Sequence, residues 1–186
     1  YYSTMSALTV GASIAITERF SASRYFKQAK RLGVTAGSLF AAPIRMILAQ
    51  EYDPEDKNHS MRVIWFAQFV AEHQLAQFEE KYQVPLLQMY GMTETIGVPL
   101  MNPIDGIRKN TSIGKPTIGY EVRVVDEKGN DLPIGEAGQI IVKGIPGETL
   151  MKGYFKNPEA TTEVLRDGWL YTGDNARIEK DGYFYF

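Results

Sequence analysis

The strongest constraint on the fold is a change of period part-way along the chain. Up to about Glu94, short β-rich runs alternate with helical patterns; beyond about Pro99, short strands follow one another with Gly and Pro punctuation. The first part places strands at residues 9–17 (Val10, Ile14, Ile16), 34–39, 61–66 and 84–89. Between them, Ser21 is placed to cap a helix through Phe26, Ala29 and Leu32, with Gly33 as its left-handed stop. Pro43 suits the first turn of a helix through Ile44, Ile47 and Leu48. Residues 53–58 read as a solvated loop, and 71–82 as an amphipathic helix with Leu75, Phe78 and Tyr82 on one side. Strand–helix–strand spacing implies right-handed crossovers and a parallel sheet, with ligands collecting beyond the carboxyl ends of its strands.

In the second part, residues 121–126 alternate at period two, 127–130 form a turn, 139–143 a further strand and 180–182 another turn. This pattern predicts a small, distorted antiparallel β-barrel. One helix interrupts it, with Asn157 as cap, Pro158 at the first position and residues 160–165 following. The expected class is therefore α/β: a partial parallel-sheet subdomain over 1–98, then a barrel-like subdomain over 99–186. A chain of 186 residues with 44% hydrophobic and 23% charged residues has enough apolar surface for such a core.

Composition excludes several function classes. A net charge of −2 points neither to nucleic acid nor to an anionic membrane as partner. Without cysteine there are no disulfides or thiolate metal sites, which fits a reducing cytoplasmic compartment. His59 and His73 lack ligand spacing for zinc. The longest mildly apolar stretch, residues 7–17, falls short of the ~18–20 residues of a membrane span.

Chemistry concentrates in two short runs. Tyr90-Gly91-Met92-Thr93-Glu94-Thr95 directly follows the strand at 84–89, and Tyr171-Thr172-Gly173-Asp174 lies in the second part. Gly91 allows close backbone approach to a ligand, and Tyr90 offers a flat face for a purine. Thr93 presents a hydroxyl to a phosphate oxygen, and Glu94 a hard oxygen suited to Mg²⁺. Asp174 has two oxygens that can accept from both hydroxyls of a ribose. Taken singly, each has a bland reading: a core tyrosine at a strand end, a capped helix start, a turn aspartate.

In this order, with Gly135-Glu136 and Gly153-Tyr154 between them, the two runs resemble the core motifs of the adenylate-forming enzymes, the acyl-CoA synthetase superfamily. The stretches Lys143-Gly144-Ile145-Pro146-Gly147 and Asp167-Gly168-Trp169-Leu170 resemble the crotonobetaine/carnitine-CoA ligases in particular. The resemblance implies nucleotide-binding roles for Tyr90, Gly91, Met92, Thr93 and Asp174, catalytic roles for Thr93 and Glu94, and Mg²⁺ binding at Glu94. It also implies adenine or acyl contacts for Ala67 and Gln68, where relatives carry a glycine-rich stretch and this chain reads Phe66-Ala67-Gln68-Phe69.

The implied reaction joins a small carboxylic acid to coenzyme A at the expense of ATP, through an acyl-adenylate that leaves AMP. Passage of the acyl group to a carrier protein, or nucleotide binding without catalysis, are the other readings. Gly135, Glu136, Gly138, Gly153, Tyr154 and Trp169 are expected to be structural, and Lys152 and Lys156 to be solvated. The family's phosphate loop and its C-terminal lid with a catalytic lysine have no counterpart here. The chain therefore reads as an internal piece of a large N-terminal domain, inactive alone.

Overall fold

In the computed structural model, which describes residues 2–186, the chain separates into two compact units, Tyr1–Gln88 and Met89–Phe186. The division falls just before the hexapeptide, which therefore belongs to the second unit.

The first unit carries a parallel sheet. Strand β1 (Ala36–Phe40) pairs along its whole length with β2 (Val63–Ala67), and residues 64–66 of β2 pair with Leu86, Leu87 and Gln88 at the start of β3 (Leu86–Tyr90). Helices α2 (Tyr25–Arg31), α3 (Ala41–Leu48) and α4 (Glu72–Tyr82) supply the rest of its core. Period decides which residues face inward. In β2, Ile64 and Phe66 are fully buried; in α4, Leu75, Phe78 and Tyr82 recur at helical spacing on the buried side. Phe26, Phe78 and Tyr82 form an aromatic cluster, in which the Phe26 and Tyr82 rings stack nearly parallel with centroids 4.3 Å apart and Phe78 is tilted against both. His59 lies flat on Phe26 and is held by the Met61 amide and the Tyr82 carbonyl, so it is occupied in packing.

Several sequence expectations need correction in this unit. The strand placed at 9–17 is absent. Helix α1 (Tyr2–Thr9) occupies its start, closed where the Ala12 amide bonds the Ala7 carbonyl, and 12–17 are irregular. Thr9 bonds back to the Met5 carbonyl instead of entering a ladder, while Val10 and Ile16 are 78% and 82% exposed. Apolar alternation without a sheet to bury it does not make a strand. Ser21 precedes a short 3₁₀ turn, Ala22–Arg24, without capping it; its hydroxyl accepts from Arg24 instead, and Leu32 is exposed. Residues Pro54–Lys57 form a 3₁₀ turn, capped by the Asp53 side chain on the Glu55 amide.

The second unit is built on an antiparallel sheet in the order β10-β9-β7-β6, curled into a half-barrel. Its strands are β6 (Glu121–Val125), β7 (Ala137–Lys143), β9 (Trp169–Ile178) and β10 (Phe184–Tyr185), with β8 (Leu165–Arg166) paired to β9. The last residues of β3, Met89 and Tyr90, pair antiparallel with β4 (Leu100–Met101), which pairs in turn with β5 (Lys115–Pro116). Val122, Val124, Ile140, Val142 and Leu170 fill the core, which Tyr90 joins. The turn after β6 is held by Asp126, whose carboxylate accepts from the amides of Lys128 and Asn130. Helix α5 (Pro158–Val164) starts as its sequence implies: the Asn157 side chain accepts from the Ala160 amide and Pro158 takes the first position.

Among the described residues, no helix is long and apolar enough to cross a membrane.

Candidate nucleotide site

Strand β3 delivers Tyr90 into the core of the second unit, where it is 6% exposed. Immediately after it, the chain folds into a 3₁₀ turn, Thr93–Thr95. Gly91 is required for a steric reason: a Cβ there would come within 2.9 Å of the Gly97 carbonyl oxygen and 3.3 Å of the Pro99 ring. Thr95 is fully buried and knits the loop; its hydroxyl accepts from the Met92 amide and lies 2.8 and 3.0 Å from the carbonyls of Met92 and Gly97. From outside the loop, the Tyr120 hydroxyl donates to the Thr95 carbonyl (2.7 Å) and accepts from the Gly97 amide (3.0 Å). This clamp supports Ile96 at φ +58°, an unfavourable conformation for a β-branched residue. Backbone strain of this kind costs of order 1–3 kcal/mol and persists only where neighbours over-determine it.

The second run lies within β9, on an irregularity of the ladder rather than on a free turn. Ile141 pairs with Tyr171 and Gln139 with Asn175, so Thr172, Gly173 and Asp174 together face the single residue Ile140. The bulge is stitched locally: the Thr172 hydroxyl donates to the Ile140 carbonyl (2.8 Å), and the Asp174 amide donates back to that hydroxyl (3.1 Å). Gly173 stands at φ +80°, where a side chain would be strained. Bulges re-aim side chains, and this one presents Asp174.

The two runs meet. The Tyr90 hydroxyl donates to Asp174 Oδ2 at 2.7 Å, across 84 residues of sequence. Burial pushes the Tyr90 phenol well above its usual pKa; the Asp174 bond and the charges of Asp174 and Glu94 add to this, while the Thr172 hydroxyl opposes it. The phenol is thus a fixed proton donor to Asp174. The carboxylate retains further lone pairs, since an ionised carboxylate offers about four acceptor positions. Phe186 lies edge-on to the Tyr90 ring at 5.6 Å.

Glu94 is half-buried and Thr93 is exposed at the start of the turn. Glu94 Oε1 accepts from the Tyr154 hydroxyl at 2.9 Å, and the Glu94 carbonyl accepts from the Met151 amide at 2.8 Å. Tyr154, expected from sequence to be structural, therefore touches Glu94 of the first run, and the contact raises the pKa of its phenol. Trp169 packs as expected, under the Arg123 guanidinium at 4.5 Å. Ala67 ends β2 in the first unit; Gln68 follows at φ +74° with its carbonyl accepting from the Gln88 side chain. An open depression of about 510 Å³, lined by Lys109, Ile134, Gly135, Glu179 and neighbouring residues, involves none of the residues of either run.

Similarity to known proteins follows the same residues. The model of the AMP-binding enzyme family matches residues 1–155. Crotonobetaine/carnitine–CoA ligases from Salmonella typhimurium strain LT2 and Escherichia coli O139:H28 are 38% and 39% identical over 184 residues, 98% of this chain. The chain spans only 35% of the length of each. Among solved structures, the anthranilate CoA ligase AuaEII in complex with anthranoyl-AMP superposes with a TM-score of 0.84 at 27% identity, covering 95% of this chain and 34% of that one. The O-succinylbenzoate coenzyme A synthetase of Bacillus subtilis, in complex with ATP and magnesium ion, gives 0.82 at 28% identity, covering 98% and 37%. With the family model matching residues 1–155, the first of the two runs included, the chain belongs to the AMP-binding enzyme family.

Proposed function

We propose that this chain contributes the AMP-holding part of an AMP-forming acid–thiol ligase. In the first step, a carboxylate oxygen attacks the α-phosphorus of ATP, the bond to the β-phosphate oxygen breaks, and pyrophosphate leaves. In the second, the thiolate of coenzyme A attacks the acyl carbon of the adenylate, expelling AMP and forming the thioester. Activation is needed because a free carboxylate is a poor electrophile. The relatives named as crotonobetaine/carnitine–CoA ligases support acids of that kind as substrates.

Asp174 is assigned to the ribose hydroxyls, and Tyr90 to orienting Asp174 and bordering the adenine. Gly91 and Met92 supply loop backbone beside the nucleotide. Thr93 is the hydroxyl donor to the α-phosphate. The family pattern assigns Ala67 and Gln68 to the adenine and acyl side. The observation that carries the reading is the Tyr90–Asp174 bond, which joins the two motifs in one compact unit.

Glu94 fits Mg²⁺ as that ion is usually held beside ATP. A half-buried carboxylate with Oε1 taken by Tyr154 leaves Oε2 as a hard oxygen ligand, and one or two carboxylates plus phosphate oxygens and water suffice. No group of three or more His, Cys, Asp or Glu side chains able to hold a metal occurs among the described residues, so an ion here depends on its nucleotide. When bound, Mg²⁺ neutralises charge on the phosphate oxygens. A cysteine-free chain suits a cytoplasmic enzyme.

Isothermal titration tests the reading. AMP should bind the chain, and Asp174→Ala should abolish measurable binding; equal AMP affinity in both proteins refutes the assignment. Pyrophosphate release by the longer protein, across a panel of acids including carnitine, then identifies the substrate.

A further inference from the structure

The Gly153-Tyr154 pair, structural by sequence, sits on a segment that grips Glu94 at two points. The Met151 amide fixes its backbone carbonyl at 2.8 Å, and the Tyr154 hydroxyl donates to Oε1 at 2.9 Å. Both contacts come from far along the sequence, 60 residues in the case of Tyr154. The tyrosine is itself anchored to helix α5. Its amide donates to the Thr161 hydroxyl (2.9 Å), which donates in turn to the Asn157 carbonyl (2.9 Å). Asn157 caps that helix and donates its own amide to the Tyr154 carbonyl (3.2 Å).

Packing does not explain this arrangement. Tyr154 is 37% exposed, too open for its ring to anchor a core. A surface hydrogen bond adds little to stability, since water offers the carboxylate an equivalent partner. What the contact does change is the freedom of Glu94. A glutamate side chain left loose surrenders rotamer entropy when a ligand orders it. A phenol already holding one oxygen removes part of that cost and fixes the direction of the other. Among the described residues, Oε2 has no hydrogen-bond partner.

We propose that Tyr154 is a positioning residue for Glu94: its phenol immobilises Oε1 so that Oε2 faces a divalent cation travelling with the polyphosphate of ATP. The proposal rests on the metal role of Glu94 given above. It extends the site to the segment Met151–Tyr154 and, through Thr161 and Asn157, to the first turn of α5. A phenol donor also draws charge from the carboxylate, which weakens it as a ligand. Orientation is the larger effect, because removal of partners that orient metal ligands lowers metal affinity by about 10–100-fold. The open setting of Tyr154 places it at the lower end.

The experiment compares the wild-type chain, Tyr154→Phe and Glu94→Gln, titrating Mg²⁺ at fixed ATP, with metal-free AMP binding as reference. In Tyr154→Phe, AMP affinity should be unchanged while the Mg²⁺ midpoint for ATP binding rises about tenfold. Glu94→Gln should raise that midpoint at least as far. An unchanged midpoint in Tyr154→Phe beside a shifted one in Glu94→Gln overturns the proposal and leaves the metal role of Glu94 intact. Unchanged midpoints in both variants, or a wild-type chain that binds neither nucleotide, overturn both. A second readout requires no nucleotide: by NMR of ring-labelled tyrosine, Glu94→Gln should move the Tyr154 ring resonance at constant pH. A static Tyr154 resonance there shows that the contact is absent in solution and also overturns the proposal.

Discussion

The bond between Tyr90 and Asp174 can be weighed by a double-mutant cycle on Tyr90→Phe and Asp174→Ala. A hydrogen bond to a charged group contributes about 1.5–3 kcal/mol. Asp174 is half-buried and keeps some water, so the lower end applies, about 1.5 kcal/mol of coupling. The two single variants should differ. Tyr90→Phe keeps the ring in the core and leaves a carboxylate that water can still reach. Asp174→Ala takes its charged acceptor from a phenol whose ring is buried and leaves only the Thr172 hydroxyl beside it, and an under-partnered buried donor costs about 1–3 kcal/mol. Asp174→Ala should therefore be the more destabilising substitution, although it removes the more exposed residue. Urea unfolding of the four proteins, followed by near-UV circular dichroism, gives each free energy. A coupling below about 0.5 kcal/mol, the usual error of additivity for independent sites, would refute the claim that the two motifs are joined.

Gly114→Ala should cost at least ~3 kcal/mol in the same assay, because the glycine stands at φ +92° and a Cβ would lie 2.1 Å from the Met101 carbonyl carbon and 2.4 Å from the Asn102 nitrogen, both backbone. Asn157→Ala should lose about 1 kcal/mol with the helix cap, measured as a lowered midpoint. Alkali should destabilise the fold: burial pushes the Tyr82 phenol up to about 12 and raises those of Tyr25 and Tyr90 as well, so the folded chain keeps protons that an unfolded one releases near pH ~10. Their stabilising contribution is complete below about pH 10 and falls as pH rises toward the folded values, by ~1.4 kcal/mol per pH unit for each such tyrosine. Urea midpoints that stay level between pH 9 and 11 would contradict this, within ~0.5 kcal/mol.

Much of the architecture was legible because periodicity reports burial. Leu75, Phe78 and Tyr82 declare one face of α4, and alternation in residues 121–125 declares β6. The same logic misled at Val10, Ile14 and Ile16, whose spacing imitates a strand although nothing buries them. At the site, residue type and motif order singled out Tyr90 and Asp174. Their mutual bond was not legible, because a contact spanning 84 residues leaves no local pattern. Tyr154 reads as structural for the same reason: a tyrosine after a glycine looks alike whether or not a carboxylate 60 residues away waits for it. The backbone of Ile96 carries no sequence signal, since its conformation is imposed by Tyr120 and Thr95.

Parity gives the β9 bulge a consequence for how this chain tolerates insertion and deletion. Four steps separate Tyr171 from Asn175 while two separate their partners Ile141 and Gln139, and both numbers are even. Leu170 before the irregularity and Ala176 after it consequently keep the same inward orientation, at 1% and 2% exposure. Loss of a single residue between them would turn Ala176 and Ile178 outward and their neighbours inward, whereas loss of two would keep the inward face of the strand and remove the bulge that presents Asp174. Length variation at this point is thus quantised in pairs, and a pair lost here takes with it the acceptor of the buried Tyr90 hydroxyl.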